Sequence, residues 1–429
     1  MKKIIALILA GGEGSRLSVL AQARAKPAVP FGGIYRIIDF TLSNAANSGI
    51  HHIGVLTQYK PLSLMEHIGN GEAWGFFGRT RRIKILPPRT GKEDSDWYKG
   101  TADAVRQNLD FLDSYEYDAV LILSGDHIYH MNYSDMVKFH RDRDADLTIA
   151  TMRVPIEEAR HFGIAQVDHH YRIIDWEEKP KKPRSNLASM GIYIFSRDFL
   201  HKAITKNAGT DFGKHIIPDA CQNARTYAFP FSGYWRDVGT LKSYWQTNLD
   251  LLSPEAGIDP GKWKIYPNLD EKHRIGDRPP TFVSSNATVQ NSLISHGCVI
   301  EGNVINSILS PGVYVQRDTV IKDSIIMSGC EIGVGARLER VILDKEVNIG
   351  EGARIGEGEA VPNEEKPHLL EAGLTVIGKH AHIPRKAHIG KHCVIFPYVK
   401  INDFPAPILP SGATLKKTEE TKEPAEEVE

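Results

Sequence analysis

The chain has little cysteine, no long apolar run and no surplus of charge. Its four cysteines in 429 residues (Cys221, Cys298, Cys330, Cys393) stand far apart with no Cys-x-x-Cys pair. That excludes a disulfide scaffold and the common zinc spacings, and predicts free thiols in a reducing compartment. No apolar stretch nears the roughly 20 residues of a membrane span, so no membrane partner is expected. Fifty-two basic against 53 acidic side chains leave a net charge of −1, which removes any long-range attraction to nucleic acid. GxxxxGK[ST], GxGxxG and GxSxG are also missing, so P-loop NTPases, dinucleotide-binding dehydrogenases and serine hydrolases lose support. Met1-Lys2-Lys3 before Ile4–Ala10 imitates a signal peptide, but the apolar run is seven residues and Gly-Gly-Glu-Gly-Ser-Arg follows it. A buried first strand and a cytoplasmic protein are expected.

A hydrophobic fraction of 41% with 24% charged residues is that of a folded protein, and the length suits two or three domains. From residue 1 to about 255, short apolar runs alternate with amphipathic stretches. Ile4–Ala10, Ile53–Thr57, Ala119–Ser124, Asp146–Met152 and Gly191–Phe195 are strand candidates; Ile38–Ser48, Thr101–Tyr115 and Tyr133–Asp144 are helix candidates. The pattern predicts an α/β domain with a Rossmann-like, mostly parallel sheet that binds ligands at the carboxyl ends of its strands. Residues 256–280, rich in Pro, Gly and charge, read as a linker. Beyond it, apolar residues recur every six positions: Leu309, Val315, Ile321; Ile326, Ile332, Leu338; Leu343, Ile349, Ile355. A second run is Ile377, Ile383, Ile389, Ile395, Ile401. Neither a helix nor a single strand satisfies that period, whereas a triangular solenoid with three short strands per turn does. A parallel β-helix is expected over 281–411, followed by a charged, disordered tail over 412–429.

The densest chemistry follows the first strand, in Ala10-Gly11-Gly12-Glu13-Gly14-Ser15-Arg16-Leu17. Its glycines can present backbone N–H groups to an anion, and Arg16 adds a fixed charge; alone, such a stretch can equally be a plain turn. Arg24-Ala25-Lys26-Pro27, with Phe31-Gly32-Gly33 and Arg36 nearby, can clamp a polyphosphate or be a solvated basic loop. Leu123-Ser124-Gly125-Asp126-His127 ends a strand in a carboxylate, where a hard cation can sit or a helix can be capped; Asp237, in Trp235-Arg236-Asp237-Val238-Gly239-Thr240, has a similar setting. Glu177-Glu178-Lys179-Pro180 reads first as an exposed charge run. His127, His130, His380 and His382 lack further ligands at a convincing spacing and read as satisfied or solvated.

Together these segments resemble bacterial glucose-1-phosphate adenylyltransferases (ADP-glucose pyrophosphorylases), a family of sugar nucleotidyltransferases, over essentially all of residues 1–411. The resemblance is carried by Ala10–Val29 (AGGEGSRLSVLAQARAKPAV), Trp97–Val105 (WYKGTADAV) and Ala188–Asp198 (ASMGIYIFSRD), and most specifically by YRIIDF and LSNAANSGI within Phe31–Ile50. It implies a left-handed β-helix and a nucleotidyltransferase domain. It also implies that Leu9, Ala10, Gly11, Gly12 and Gly14 wrap the nucleotide, with Arg16 and Lys26 on its departing phosphates. Gln58, Gly100 and Thr101 would lie at the adenine. Asp126, catalytic, and Asp237 would hold Mg²⁺. Tyr98, Gly163, Glu178, Lys179 and Ser189 would bind glucose 1-phosphate, while Gln58 and Trp97 would link regulatory and substrate sites. ATP and glucose 1-phosphate are the implied substrates, ADP-glucose for glycogen synthesis the product, and a homotetramer with a sugar-phosphate or other metabolite effector the implied assembly.

Two departures concern regulation. Ala23 stands where well-studied allosteric members have an activator-binding Lys, and their N-terminal extension is missing, so weak or altered activation is expected. Three other readings stay open: a guanylyl, thymidylyl or uridylyl sibling; a catalytically silent regulatory subunit; and a hexapeptide acyltransferase. The last expects catalytic histidines in the carboxy-terminal half, but His380, His382, His388 and His392 fall between interior positions and should face solvent.

Overall fold

The first strand, β1 (Ile4–Leu9), is apolar throughout because it lies mid-sheet with cores on both sides. Ile4, Ala6 and Ile8 enter one core and Ile5 and Leu7 the other. The computed structural model describes residues 3–88, 97–269 and 277–418. The remaining strands of this sheet are β2 (His52–Leu56), β3 (Arg82–Leu86), β4 (Ala119–Ser124), β5 (Leu147–Arg153), β6 (Gly163–Val167), β7 (Ile173–Glu178), β8 (Leu187–Ser196) and β9 (Thr226–Pro230). The order runs β7-β6-β8-β4-β1-β2-β3, with β5 also on β8 and β9 on β5. The stretch β4-β1-β2-β3 is parallel, whereas β8 runs against β4, β5 and β6. The half that leads into the glycine turn is therefore the Rossmann-like part, and the antiparallel half carries Glu178 and Ser189.

The helices that position the site are α1 (Ile37–Asn47), α2 (Leu62–Ile68), α3 (Thr101–Arg106), α4 (Leu109–Asp113), α5 (Tyr133–Asp142) and α6 (Leu241–Asp250). The single helix expected over Thr101–Tyr115 is broken into α3 and α4 at Gln107-Asn108; Asn108 Nδ2 donates to Ala104 O and to the Tyr98 hydroxyl. On α5, His140 is buried with Nδ1 2.8 Å from Thr148 Oγ1. Burial, only partly offset by Asp146, pushes its imidazole down to about 4 from 6.5. The fold thus holds this ring neutral while the unfolded chain protonates it. Its stabilisation is complete above the unfolded value and is lost as pH falls toward 4, up to about 3 kcal/mol. Urea unfolding at about pH 7 and about pH 4.5 should show His140→Gln losing less stability over that interval than the native chain.

Beyond the linker, three all-parallel sheets of six, seven and seven short strands stack into the left-handed β-helix of hexapeptide repeats. Leu309 pairs with Ile326 and Ile326 with Leu343, one 17-residue coil at a time; Leu343 then pairs with Ile377, so an extra loop leaves the solenoid between them. All the six-step positions from Leu309 to Ile395 line the interior. Ile401 does not: it opens a short 3₁₀ turn, Ile401–Asp403, and is 56% exposed. A chain that must turn there cannot keep its side chain on the strand face, and Leu409 and Leu415 take over the core. His392 also departs from expectation. It is buried, with Nδ1 2.9 Å from Val361 O and Nε2 accepting from Gly373 N at 3.0 Å.

The boundaries shift as well. Much of the expected linker straps the first domain: Trp263 stacks on His130, Tyr266 N donates to Ser43 Oγ, and Asn268 Nδ2 donates to His67 O. Residues 270–276 lie outside the described residues. At the other end, Thr414–Leu415 is still a solenoid strand; of the expected tail, 419–429 lies outside the described residues. All four cysteines are free thiols. Among the described residues, no helix is long and apolar enough to cross a membrane.

Candidate active site

The turn after β1 passes over the carboxyl end of the sheet, which places its amides beside two neighbouring strands. Ala10 N donates to Leu56 O at the end of β2, and Gly125 N donates to Leu9 O, drawing the Gly125-Asp126 corner of β4 against Leu9 and Ala10. Gly14 has φ 71°, the left-handed region that favours glycine, and a Cβ there would meet Ala21 Cβ at 3.0 Å and Lys26 Cβ at 3.2 Å. That close approach sends the chain through a 3₁₀ segment, Ser15–Ala21, and returns it to Lys26 at the same corner.

Lys26 is the hub. Its Nζ lies 2.6 Å from Asp126 Oδ2 and 3.1 Å from Asp237 Oδ1. Asp126 comes from the end of β4. Asp237 comes from a ribbon in which Trp235–Asp237 pairs antiparallel with His127–Tyr129, so that Asp237 faces His127. His127 Nε2 lies 3.5 Å from Asp126 Oδ1 and 4.0 Å from Asp237 Oδ1. The Ser124 hydroxyl also donates to Asp126 Oδ1. Burial alone would push the Asp126 carboxyl up, but the Lys26 ammonium, His127 and Ser124 hold it well below the usual carboxylate range. Burial would likewise lower Lys26, yet the two carboxylates leave its amine raised and charged. Arg16 closes this corner: a Cβ on Gly239 would stand 3.1 Å from Arg16 Nη2 and 2.9 Å from Asp237 Oδ1.

A cation fits here. Asp126, His127 and Asp237 offer ligand atoms all within 4.8 Å of one another, and an ammonium already bridges the two carboxylates. His127, set aside on sequence because no other ligand was near in spacing, belongs to this cluster. Its partner Asp237 is 110 residues further along the chain.

The other predicted residues form two further groups. Gln58, after β2, accepts from Tyr98 N through Oε1 at 3.0 Å, and a Cβ on Gly11 would touch Gln58 Cβ at 3.2 Å. Tyr59 and the exposed Trp97 pack ring on ring at 5.0 Å, doubling this clasp. Thr101 opens α3; its hydroxyl accepts from Phe212 N and donates to Asp211 Oδ2, while the Ala102 and Asp103 amides behind Gly100 are taken by Thr210 O. The Tyr98 hydroxyl is engaged inward, donating to Leu86 O at 3.1 Å and accepting from Asn108 Nδ2.

The third group is at the antiparallel end. Gly163 pairs with Glu178 across β6 and β7, and only glycine fits, since a Cβ would lie 2.3 Å from Trp176 Cζ2. Glu178 is held above the usual carboxylate value, by burial first and then by Asp211, against the pull of Lys179. Lys179 Nζ is 3.8 Å from Glu178 Oε1 and mostly exposed. Ser189, buried on β8, accepts from Gly191 N at 3.1 Å.

Two basic residues expected at the polyphosphate face elsewhere. Arg36 donates to Ala28 O, Ser63 O and Ser63 Oγ and so ties the loop to α2. Arg24 turns its guanidinium away from the carboxylates into the β-helix, 2.8 Å from Asp344 Oδ1. Nothing in the local sequence signals that partner, 320 residues away.

A glycine turn, two basic side chains and two strand-end carboxylates on a Rossmann-like sheet define a nucleotidyltransferase. The Nucleotidyl transferase family model matches residues 5–253, and a GlmU-like, C-terminal hexapeptide model matches 279–377. The glucose-1-phosphate adenylyltransferase of Acetivibrio thermocellus is 46% identical over 429 residues, covering 98% of this chain and 99% of its own. Those of Thermotoga maritima (48%, covering 96% and 98%) and Thermomicrobium roseum (47%, covering 97% and 98%) are similar throughout. The chain belongs to the glucose-1-phosphate adenylyltransferase family.

Proposed function

We propose that this chain transfers the adenylyl group of ATP to glucose 1-phosphate, giving ADP-glucose and pyrophosphate for glycogen synthesis. The observation that carries the reading is the Lys26–Asp126–Asp237 cluster beside the glycine turn. The end-to-end likeness to named adenylyltransferases supports ATP and glucose 1-phosphate as substrates.

A phosphate oxygen of glucose 1-phosphate attacks the α-phosphorus in line; that P–O bond forms as the bond to the bridging oxygen of pyrophosphate breaks, and the electron pair leaves with pyrophosphate. The nucleophile is already an anion, so no general base is required. The barrier lies in bringing two polyanions together and stabilising the charge that moves to the leaving group. The amides of Gly11, Gly12 and Gly14, with Arg16 and Lys26, meet that charge in a partly buried corner where its stabilisation exceeds that in water. Gln58, Gly100 and Thr101 flank the base, and Leu9 and Ala10 line the wall beneath it. Gly163 lets Trp176 and Glu178 pack close beside the hexose, Glu178 and Ser189 hydrogen-bond its hydroxyls, and Lys179 reaches its phosphate. Asp126 and Asp237 would hold Mg²⁺, with His127 beside them; the ion, when bound, supplies polarisation of the phosphoryl oxygens.

Both metal carboxylates and Lys179 are retained, which counts against a silent regulatory subunit. The buried, doubly engaged His392 counts against acyl transfer in the solenoid. We further propose a homotetramer and an effector response altered by Ala23. The exposed Phe282, Val283 and Leu293 on the opening strands of the solenoid support a covered end. The discriminating experiment measures pyrophosphate release with each NTP against glucose 1-phosphate and mannose 1-phosphate, with and without sugar-phosphate effectors. ATP with glucose 1-phosphate should exceed every other pair by at least about tenfold, on the order of one well-placed contact to the base. A preference for GTP, TTP or UTP would overturn the adenylyl assignment.

A further inference from the structure

The pair of carboxylates that the proposed reaction needs for a metal is already bridged by a cation of the chain's own. Lys26 Nζ stands 2.6 Å from Asp126 Oδ2 and 3.1 Å from Asp237 Oδ1, on a side chain only 8% exposed. The root of this side chain is held in place. Its backbone is fixed by the short 3₁₀ turn Lys26–Ala28 and by the contact with Gly14, and the neighbouring Pro27 limits the local φ.

We propose that Lys26 is an internal counter-ion of the metal site. In the free chain its ammonium occupies the position between Asp126 and Asp237, and a divalent metal gains that pair only when nucleotide phosphates accept the ammonium in exchange. The proposal rests on the reading of Asp126 and Asp237 as the metal carboxylates.

Three physical points support it. An ammonium within hydrogen-bonding distance of both carboxylates and a divalent cation bound by the same oxygens repel strongly at that separation, so the two exclude one another. A buried ammonium removed from its carboxylates must find another anion, because leaving it unpaired in this corner is costly. The anion at hand is a phosphate on the Gly11–Gly14 turn, which packs directly against Lys26 Cβ. Lysine suits this exchange, as a compact charge on a four-carbon stem that can swing between two anions, where the planar fork of arginine would bind one rigidly. Metal and nucleotide would then bind interdependently, and free metal ions would not be trapped by the empty enzyme. In the absence of either, the ammonium also prevents two close carboxylates from repelling one another and opening the corner.

The test uses Mn²⁺ as probe on the full chain, with free Mn²⁺ followed by electron paramagnetic resonance. Without nucleotide, the native chain should bind Mn²⁺ weakly, and α,β-methylene-ATP should tighten that binding. Lys26→Met, judged folded by circular dichroism, should bind Mn²⁺ without nucleotide roughly ten- to hundredfold more tightly than the native chain, the scale of one or two charge-assisted hydrogen bonds. Adding Asp237→Asn to Lys26→Met should abolish the gain. The proposal is overturned if folded Lys26→Met binds Mn²⁺ no more tightly than the native chain. It is equally overturned if the native chain binds Mn²⁺ as tightly without the analogue as with it, a comparison that needs no variant. None of these measurements requires turnover, so a chain that released no pyrophosphate would defeat the proposed function while leaving the counter-ion question readable.

Discussion

Asp126→Asn should lower the rate of pyrophosphate release by about a thousandfold or more while the chain still folds. The substitution keeps the size of the side chain and one oxygen, which can accept from Lys26 Nζ or from the Ser124 hydroxyl, donors that the native carboxylate takes on separate oxygens. What it removes is charge. Lys26 retains Asp237 at 3.1 Å, so the corner is not left with an unpaired ammonium, and the loss of stability should stay within about 2 kcal/mol. Catalysis is far more exposed, because the carboxylate is needed where negative charge is being moved between phosphorus centres. The sign of the perturbation at Asp126 agrees: a carboxyl held below its usual range by Lys26 and His127 stays ionised at any working pH, available as a ligand and of no use as a proton donor. Initial rates together with thermal melts decide the matter. A folded Asp126→Asn chain working within tenfold of the native rate would remove Asp126 from the mechanism.

What could be read from the amino-acid sequence is what is local or periodic. β1 and β4 were legible because an all-apolar strand is the mark of a sheet buried on both faces, and the solenoid because six-residue spacing has one economical solution. The solenoid reading failed at Ile401 for a local reason: the chain turns into a 3₁₀ segment, and periodicity alone carries no information about where a coil is interrupted. The antiparallel course of β8 was equally hidden, since a central strand is apolar whichever way it runs. In the site, Asp126 and Asp237 were found from their settings at strand ends. The place of His127 beside them was not, because a cluster is a property of distance in space, and the ribbon pairing that brings Asp237 to His127 leaves no trace in spacing. Arg24 and Arg36 were misplaced for a related reason. Three basic residues within one loop look equivalent in sequence, yet packing sends Lys26 to the carboxylates, Arg36 to Ser63 and Arg24 to the second domain.

Asp344→Ala should destabilise the chain by about 3–5 kcal/mol, and should also slow turnover although Asp344 lies outside the proposed active site. The carboxylate is fully buried and takes Arg24 Nη1 at 2.8 Å and Lys345 N at 2.7 Å on the same oxygen. Arg24 is itself only 4% exposed on its side chain. Two charges withdrawn from water in this way gain little net stability as a pair. Removal of one leaves the other desolvated with no counter-charge, and that asymmetry sets the size of the effect. The kinetic consequence follows from the chain: Arg24 is two residues before Lys26, and the segments flanking that loop enter an apolar layer shared by both domains. In that layer Leu17, Leu20 and Val29 meet Ile325, Ile342 and Val376, while Trp245 Nε1 donates to Asp323 O at 2.7 Å. With Arg24 released, Lys26 keeps its chemistry but loses part of its placement, which should reduce kcat by about ten- to a hundredfold with a smaller change in KM for ATP. A paired replacement separates the two effects. Arg24→Met combined with Asp344→Leu replaces the ion pair by apolar contacts of similar volume and should recover most of the stability lost by Asp344→Ala. It should not fully recover kcat, because a methionine offers no directional bond to anchor the turn. If Asp344→Ala unfolds at the native urea midpoint and keeps the native kcat, the inter-domain pair carries neither stability nor placement, and the solenoid's hold on the Lys26 loop must come from the apolar layer alone.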